Sequence, residues 1–336
     1  MASLAKCVIT TPRDRRQTLV DRESRIYVAD GGGFIGAAIV RELRCQGYKT
    51  LLGGGADEPD PTDAPSVDGF FRATRPEYVF MAAGKILGIG GNQRRPAELM
   101  LDNLLVTSHM IHSAFRSGVK KLLYLGSGCS YPKLCPQPMR PETLMSGRLE
   151  PTSEFYATAK IAGLKLCEAY RRQYGVDFIS AIPANPFGIG DDFNLEDAHV
   201  IGALIRRMHE AREGGEPYVE IWGTGSPRRE FIYIDDLADA SVFVMERYSD
   251  VQPINLAGGT ELSVRELAEL IRDVVGYHGE LWFNEAKADG MPVKVFDSSE
   301  LRALGWRART PLRQALAATY EWFLKTEGHW RRANAG

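Results

Sequence analysis

Short apolar runs recur along the first part of the chain, at 25–29, 49–52, 78–83, 121–125 and 178–182. They lack the alternation of a half-exposed strand, as expected where both faces of a parallel sheet are covered by helices. Between and after them, at 34–45, 96–117 and 153–174, apolar residues recur three and four apart, which predicts helices. Such alternation predicts an α/β fold, a Rossmann-type doubly wound parallel sheet that takes ligands at the C-terminal ends of its strands. The second half is less regular. Ser263 and Glu266 have capping-box spacing and predict a helix to about Val275. A strand at 281–283 and a helix at 312–324 complete a smaller C-terminal α/β lobe. Residues 1–24 are polar and aperiodic and read as an extension, expected to be flexible.

Composition narrows the classes. Hydrophobic residues make up 44% of the 336 and charged residues 25%, an ordinary globular mix. Lysine plus arginine number 41 against 43 acidic residues, a net charge of −2, which argues against nucleic acid as a partner. No apolar run approaches the ~18 residues of a membrane span, and the N-terminus lacks a secretory core, so the expectation is no membrane partner and a cytoplasmic location. The five cysteines, Cys7, Cys45, Cys129, Cys135 and Cys167, are odd in number and form no CxxC. Together with scattered histidines this predicts neither a disulfide framework nor a metal site.

Candidate chemistry begins at the turn Asp30-Gly31-Gly32-Gly33-Phe34-Ile35-Gly36, which leaves a strand and opens a helix. That context suits a dinucleotide pyrophosphate at a helix N-terminus, with Gly33 for close backbone approach and Gly36 for helix packing. Tyr156 and Lys160 are four apart in a helical pattern and so share one face. An ammonium beside a phenol should make the phenol more acidic, which suits a general acid or base at a carbonyl. Ser127, at the end of the run 121–125, would bring a second hydroxyl to the same oxygen.

The turn, Ser127 and the Tyr156-xxx-Lys160 pair resemble the extended short-chain dehydrogenase/reductase family. Longer strings narrow the resemblance: Leu125-Gly126-Ser127-Gly128-Cys129-Ser130-Tyr131-Pro132-Lys133, the segment 150–175, Asp197-Ala198-His199-Val200-Ile201, and 221–231. Over about 25–325 these look like the 3,5-epimerase-4-reductases of GDP-4-keto sugars. The resemblance implies an NADP-dependent enzyme that converts GDP-4-keto-6-deoxy-D-mannose to GDP-L-fucose. It implies catalysis by Ser127, Cys129, Tyr156, Lys160 and His199. Protons at C3 and C5 are acidic beside the C4 ketone, and a thiol and an imidazole can each exchange one near neutral pH. Taken by themselves Cys129 would be a small buried residue and His199 a helix-start residue; their place inside matching strings gives them this role.

For the cofactor the resemblance implies Gly33, Phe34, Ile35, Gly36, Asp63, Ala82, Ala83, Lys160, Asn185 and His199. For the GDP-linked sugar it implies Arg207, Trp222, Arg229, Asp289 and Lys294, guanidinium groups suiting diphosphate oxygens. Arg206 and Arg228 read as surface charges. It also implies a dinucleotide-binding domain at 25–185, with the chain returning to it at about 230–258, a substrate lobe at 186–330, and a homodimer through the helices at 96–117 and 153–174. The chain departs from the pattern at the cofactor. Asp30 replaces the first glycine, Gly32 and Ala56 stand where the family carries arginines for the 2′-phosphate, no aspartate ends the second strand, and Phe187 replaces a tyrosine. NADP(H) is expected, with NAD(H) open. Three alternatives also stay open: an epimerase without net reduction, an epimerase-reductase for another GDP-4-keto sugar, and a non-catalytic nucleotide-sugar sensor. Enzymes of the first kind would use lysine where His199 stands.

Overall fold

The apolar runs pair side by side into one parallel sheet. The computed structural model describes residues 20–195, 198–287 and 289–333. The extension read at 1–24 lies outside them up to residue 19, as do Cys7 and Asp197. In chain order the elements begin with β1 (Ile26–Ala29), α1 (Phe34–Cys45), β2 (Leu51–Leu52), α2 (Ala64–Thr74), β3 (Tyr78–Met81), α3 (Ile89–Arg94), α4 (Pro96–Arg116), β4 (Lys121–Leu125), α5 (Glu154–Tyr174), β5 (Asp177–Pro183) and β6 (Asn185–Phe187). Then follow α6 (Val200–Gly214), β7 (Tyr218–Trp222), β8 (Arg228–Tyr233), α7 (Ile234–Arg247), β9 (Ile254–Leu256), β10 (Thr260–Ser263), α8 (Val264–Val275), β11 (Glu280–Asn284), β12 (Val293–Lys294), α9 (Ser299–Ala303) and α10 (Leu312–Ala333).

The main sheet has the order β2-β1-β3-β4-β5-β9 and is parallel throughout. The order reverses between β1 and β3, and a ligand crevice forms at such a switch point, beyond the strand ends. A second sheet runs β10-β8-β12, with β6 on β8, and a third joins β11 to β7. The predicted capping box at Ser263 and Glu266 is present.

Several elements were not legible in the sequence. α7 is the clearest case: it is buried nearly all round and packs on α1. Its interior carboxylates are occupied within the fold. Asp236 accepts from the Arg309 and Thr310 N–H groups, Asp239 from the Trp306 indole and Glu246 from the Tyr48 hydroxyl. A helix without a solvated face gives little amphipathic signal.

Two buried polar side chains join the sheets. Glu230 of β8 accepts from Gly259 N–H at 2.6 Å and Phe296 N–H at 2.8 Å. Asn255 of β9 accepts from the Tyr131 hydroxyl at 2.6 Å and donates to the carbonyls of Met139 and Asp297, both at 3.0 Å. Asn255 therefore ties the segment after β4 to the segment after β12. Replacing it by alanine takes the partner from the Tyr131 hydroxyl and the Asp297 carbonyl, while the Met139 carbonyl keeps the Asp297 N–H. Asn255→Ala should lower the unfolding free energy by about 3 kcal/mol, measured by urea titration; a loss below ~1 kcal/mol would show that the segments are held by other contacts.

Candidate active site

β4 ends at Leu125, and the chain enters a single 3-10 turn, Gly128–Ser130, with Ser127 at its start. The Ser127 hydroxyl accepts from the Cys129 N–H at 3.2 Å, so hydroxyl and thiol leave the strand end together. α5 crosses behind them at very short range. A Cβ at Gly163 would collide with the Tyr124 ring, so only glycine lets the helix lie this close to β4. At that distance the buried Lys160 ammonium reaches the Leu125 carbonyl at 3.0 Å. Tyr156, one turn earlier, is buried beside Ser127 and Cys129.

The electrostatics of this cluster differ from the sequence expectation for the phenol. Burial pushes Tyr156 well above its usual range, a charged Cys129 adds to the shift, and the Ser127 hydrogen bond opposes it only in part. The expected acidification by Lys160 is not found: the lysine is not among the groups that shift the phenol, and desolvation of a phenolate sets the direction. Tyr156 thus holds its proton through neutral pH, the state of a proton donor. Burial also pulls Lys160 down to about 8.

Lys294 links the remaining groups. Its ammonium is 3.8 Å from the Cys129 sulfur, and its side chain runs beside Gly128. Burial pushes the thiol up, but the Lys294 charge and hydrogen bonds from Ser127, Ser153 and Lys294 outweigh it, and the net shift is downward. His199, just before α6, is exposed on one side and crowded by protein on the others. That crowding and then the Lys294 charge lower its pKa, with Asp192 opposing. One ammonium therefore acts on both the thiol and the imidazole, two groups far apart in sequence.

On the far side of Lys294, β12 pairs in register with β8, Lys294 opposite Arg229. The Arg229 guanidinium donates to the Arg228 carbonyl at 2.8 Å. Trp222, at the end of β7, is 53% exposed and carries the Arg207 guanidinium 5.6 Å and the Lys287 ammonium 5.2 Å from its ring centre. An exposed indole flanked by two cations suits a flat base next to phosphates. Asp289 faces inward instead: its two oxygens accept from the Thr224 N–H at 2.8 Å and the Thr224 hydroxyl at 2.9 Å, which fixes the loop after Trp222. Arg206 and Arg228 are ion-paired, to Glu210 and Glu261.

On the cofactor side, Gly33, Phe34, Ile35 and Gly36 open α1, and no side chain caps its N-terminus. Ala82 and Ala83 follow β3. Free helix N–H groups beside the switch point fit a pyrophosphate, so the residues present suit a dinucleotide. Asp63 caps α2 through the Ser66 N–H, and Asn185 donates to the Glu230 carbonyl at 2.7 Å. Phe187 is buried against Phe231 and Tyr233. Sequence reasoning missed Ser153, Thr224, Lys287 and Glu58. Only Glu58 carried a usable signal, an acidic residue roughly 20 positions beyond the glycine turn.

The fold, the glycine turn at the head of α1 and the Ser-Tyr-Lys cluster at the end of β4 define an extended short-chain dehydrogenase. The chain belongs to the NAD dependent epimerase/dehydratase family, whose profile matches residues 26–257. It is similar to GDP-L-fucose synthase 1 of Arabidopsis thaliana, 48% identical over 92% of this chain and 95% of that protein. Among solved structures it resembles a GDP-L-fucose synthetase from Naegleria fowleri bound to NADP, with a TM-score of 0.86, 28% identity, and coverage of 93% of this chain and 96% of that one. It also resembles a GDP-6-OMe-4-keto-L-xylo-heptose reductase from C. jejuni, with a TM-score of 0.85, 32% identity, and coverage of 91% and 99%. Among the described residues no helix is long and apolar enough to cross a membrane.

The Lys294–Cys129 contact makes a direct prediction. In Lys294→Met, alkylation of Cys129 by iodoacetamide, followed by peptide mass mapping, should need higher pH than in the parent, while Lys294→Arg should keep the parent profile. An unchanged profile in Lys294→Met would separate the lysine from the thiol.

Proposed function

We propose that the chain is a GDP-sugar 3,5-epimerase and 4-reductase that converts GDP-4-keto-6-deoxy-D-mannose to GDP-L-fucose. The observation that carries this reading is the meeting of Tyr156, Ser127 and Lys160 with Cys129 and Lys294 at one strand end. The similarity to GDP-L-fucose synthases over nearly the whole chain supports the substrate. The cofactor is NADP(H), held at the N-terminus of α1 and past β3; bound there, it supplies a hydride for C4.

The chain's own groups do the rest. Ser127 and Tyr156 hold the C4 oxygen and stabilise the enolate formed when a neighbouring proton leaves. Cys129, its thiol lowered beside Lys294, takes a proton from one face of C3 or C5. His199 returns one from the other face. The substrate's diphosphate brings negative charge towards Lys294 and Arg229, which offsets the cation that depresses the imidazole. Each inversion leaves a thiol and a neutral imidazole, reset by exchange with water, so solvent hydrogen enters C3 and C5. In the reduction Tyr156, kept protonated by burial, gives its proton to the C4 oxygen. Trp222, Arg207 and Arg229 bind the GDP part, and Asp289 positions the Trp222 loop. A homodimer through α4 and α5, with the exposed Leu101 and Phe155 in its surface, and a cytoplasmic location complete the reading.

Incubation with GDP-4-keto-6-deoxy-D-mannose and NADPH in D₂O, followed by NMR, should give GDP-L-fucose carrying deuterium at C3 and C5. Tyr156→Phe should slow reduction by about 10²–10⁴-fold while exchange, still supported by Ser127, slows much less, and Cys129→Ser should suppress the exchange. Reduced product without deuterium would refute the epimerase half.

A further inference from the structure

The loop after β2 doubles back through Gly53 and Gly54, both at positive φ (95° and 73°), and returns Glu58 to the glycine turn. One Glu58 oxygen accepts from the Asp30 N–H at 2.5 Å and the other from the Gly54 N–H at 2.8 Å; the Tyr27 hydroxyl lies 3.5 Å from the first. Both oxygens are thus fixed by backbone N–H groups, and the carboxylate is pinned at the C-terminal end of β1, beside the switch point. Asp30, at φ 59°, turns its own carboxylate over Gly33, where an added Cβ would collide with it. Two carboxylates therefore border the uncapped start of α1. Burial and then the Glu58 charge raise Asp30 to about 6. Among the described residues no lysine or arginine pairs with either group.

This arrangement bears on the adenosine end of the cofactor. In such sheets an acidic residue about 20 positions beyond the glycine turn accepts from the ribose hydroxyls, whereas an arginine accommodates a 2′-phosphate. Glu58 stands at that distance, although it lies several residues past the strand end where an acid would be sought. A phosphate brought to two carboxylates meets like charge with no cation between them. A ribose diol has hydroxyls to donate.

We propose that Glu58 is the residue that sets cofactor choice in this enzyme: it accepts from the adenosine ribose and, with Asp30, opposes the 2′-phosphate, so that NADH binds about as tightly as NADPH. This rests on the nicotinamide-dependent reading above and extends its cofactor range.

The test is fluorescence titration of the full chain with NADPH and with NADH at pH 8, without sugar. The parent should bind the two within about threefold of each other. Glu58→Gln keeps the side chain's size and one acceptor but removes the charge. Asp30→Asn removes the other charge and tolerates the positive φ. Each should raise the affinity for NADPH relative to NADH by about tenfold; Glu58→Gln gives up one of the two backbone hydrogen bonds, so circular dichroism checks that it stays folded. Parent binding of NADPH more than about thirtyfold tighter than NADH, or an unchanged ratio in Glu58→Gln, would overturn the proposal. Failure to bind either cofactor would instead defeat the reductase reading, and this inference with it.

Discussion

Lys160 donates from a buried ammonium to the Leu125 carbonyl across the contact between α5 and β4. That bond requires a helix lying unusually close to a strand, and Gly163 against the Tyr124 ring makes the approach possible. Once α5 is seated there, Tyr156 must fall beside the strand end, next to Ser127 and Cys129. The meeting of Ser127, Tyr156 and Lys160 is thus a consequence of one helix-to-sheet distance. Burial also sets its protonation: the phenol is held neutral and the lysine is brought to about 8. A site built for donating a proton to a carbonyl oxygen needs that state.

The second constraint is the single charge of Lys294. It comes from β12, in the smaller sheet, yet acts on Cys129 beyond β4 and on His199 before α6. Its position depends on how the sheets are joined. Asn255 and Glu230 make that joint, since each binds backbone groups from separate segments in the interior. The electrostatics of the thiol and imidazole and the packing between the sheets are therefore coupled through buried polar side chains, where a lost partner is expensive.

The cofactor end shows how a departure in sequence acquires meaning in three dimensions. The missing arginines describe only what the turn lacks. Glu58 folded back onto the Asp30 and Gly54 N–H groups gives the region a definite negative character. Asp30 by itself would be a misplaced charge; beside Glu58 it is half of a pair of carboxylates, raised by burial and by that neighbour.

The sequence by itself determined the parallel α/β class, the glycine turn at the head of α1, the helical spacing of Tyr156 and Lys160, and the strings holding Ser127, Cys129 and His199. These are local features, written in the period of side chains along one element or in contiguous residues. Tertiary structure alone decided that Lys294 charges both the thiol and the imidazole, that Asp289 is taken up by Thr224, that burial reverses the expected acidity of Tyr156, and that Glu58 returns to the turn. Each of these depends on distances between residues remote in the chain, or on how much water is excluded around a group. Neither quantity is encoded in the periodicity of any single segment.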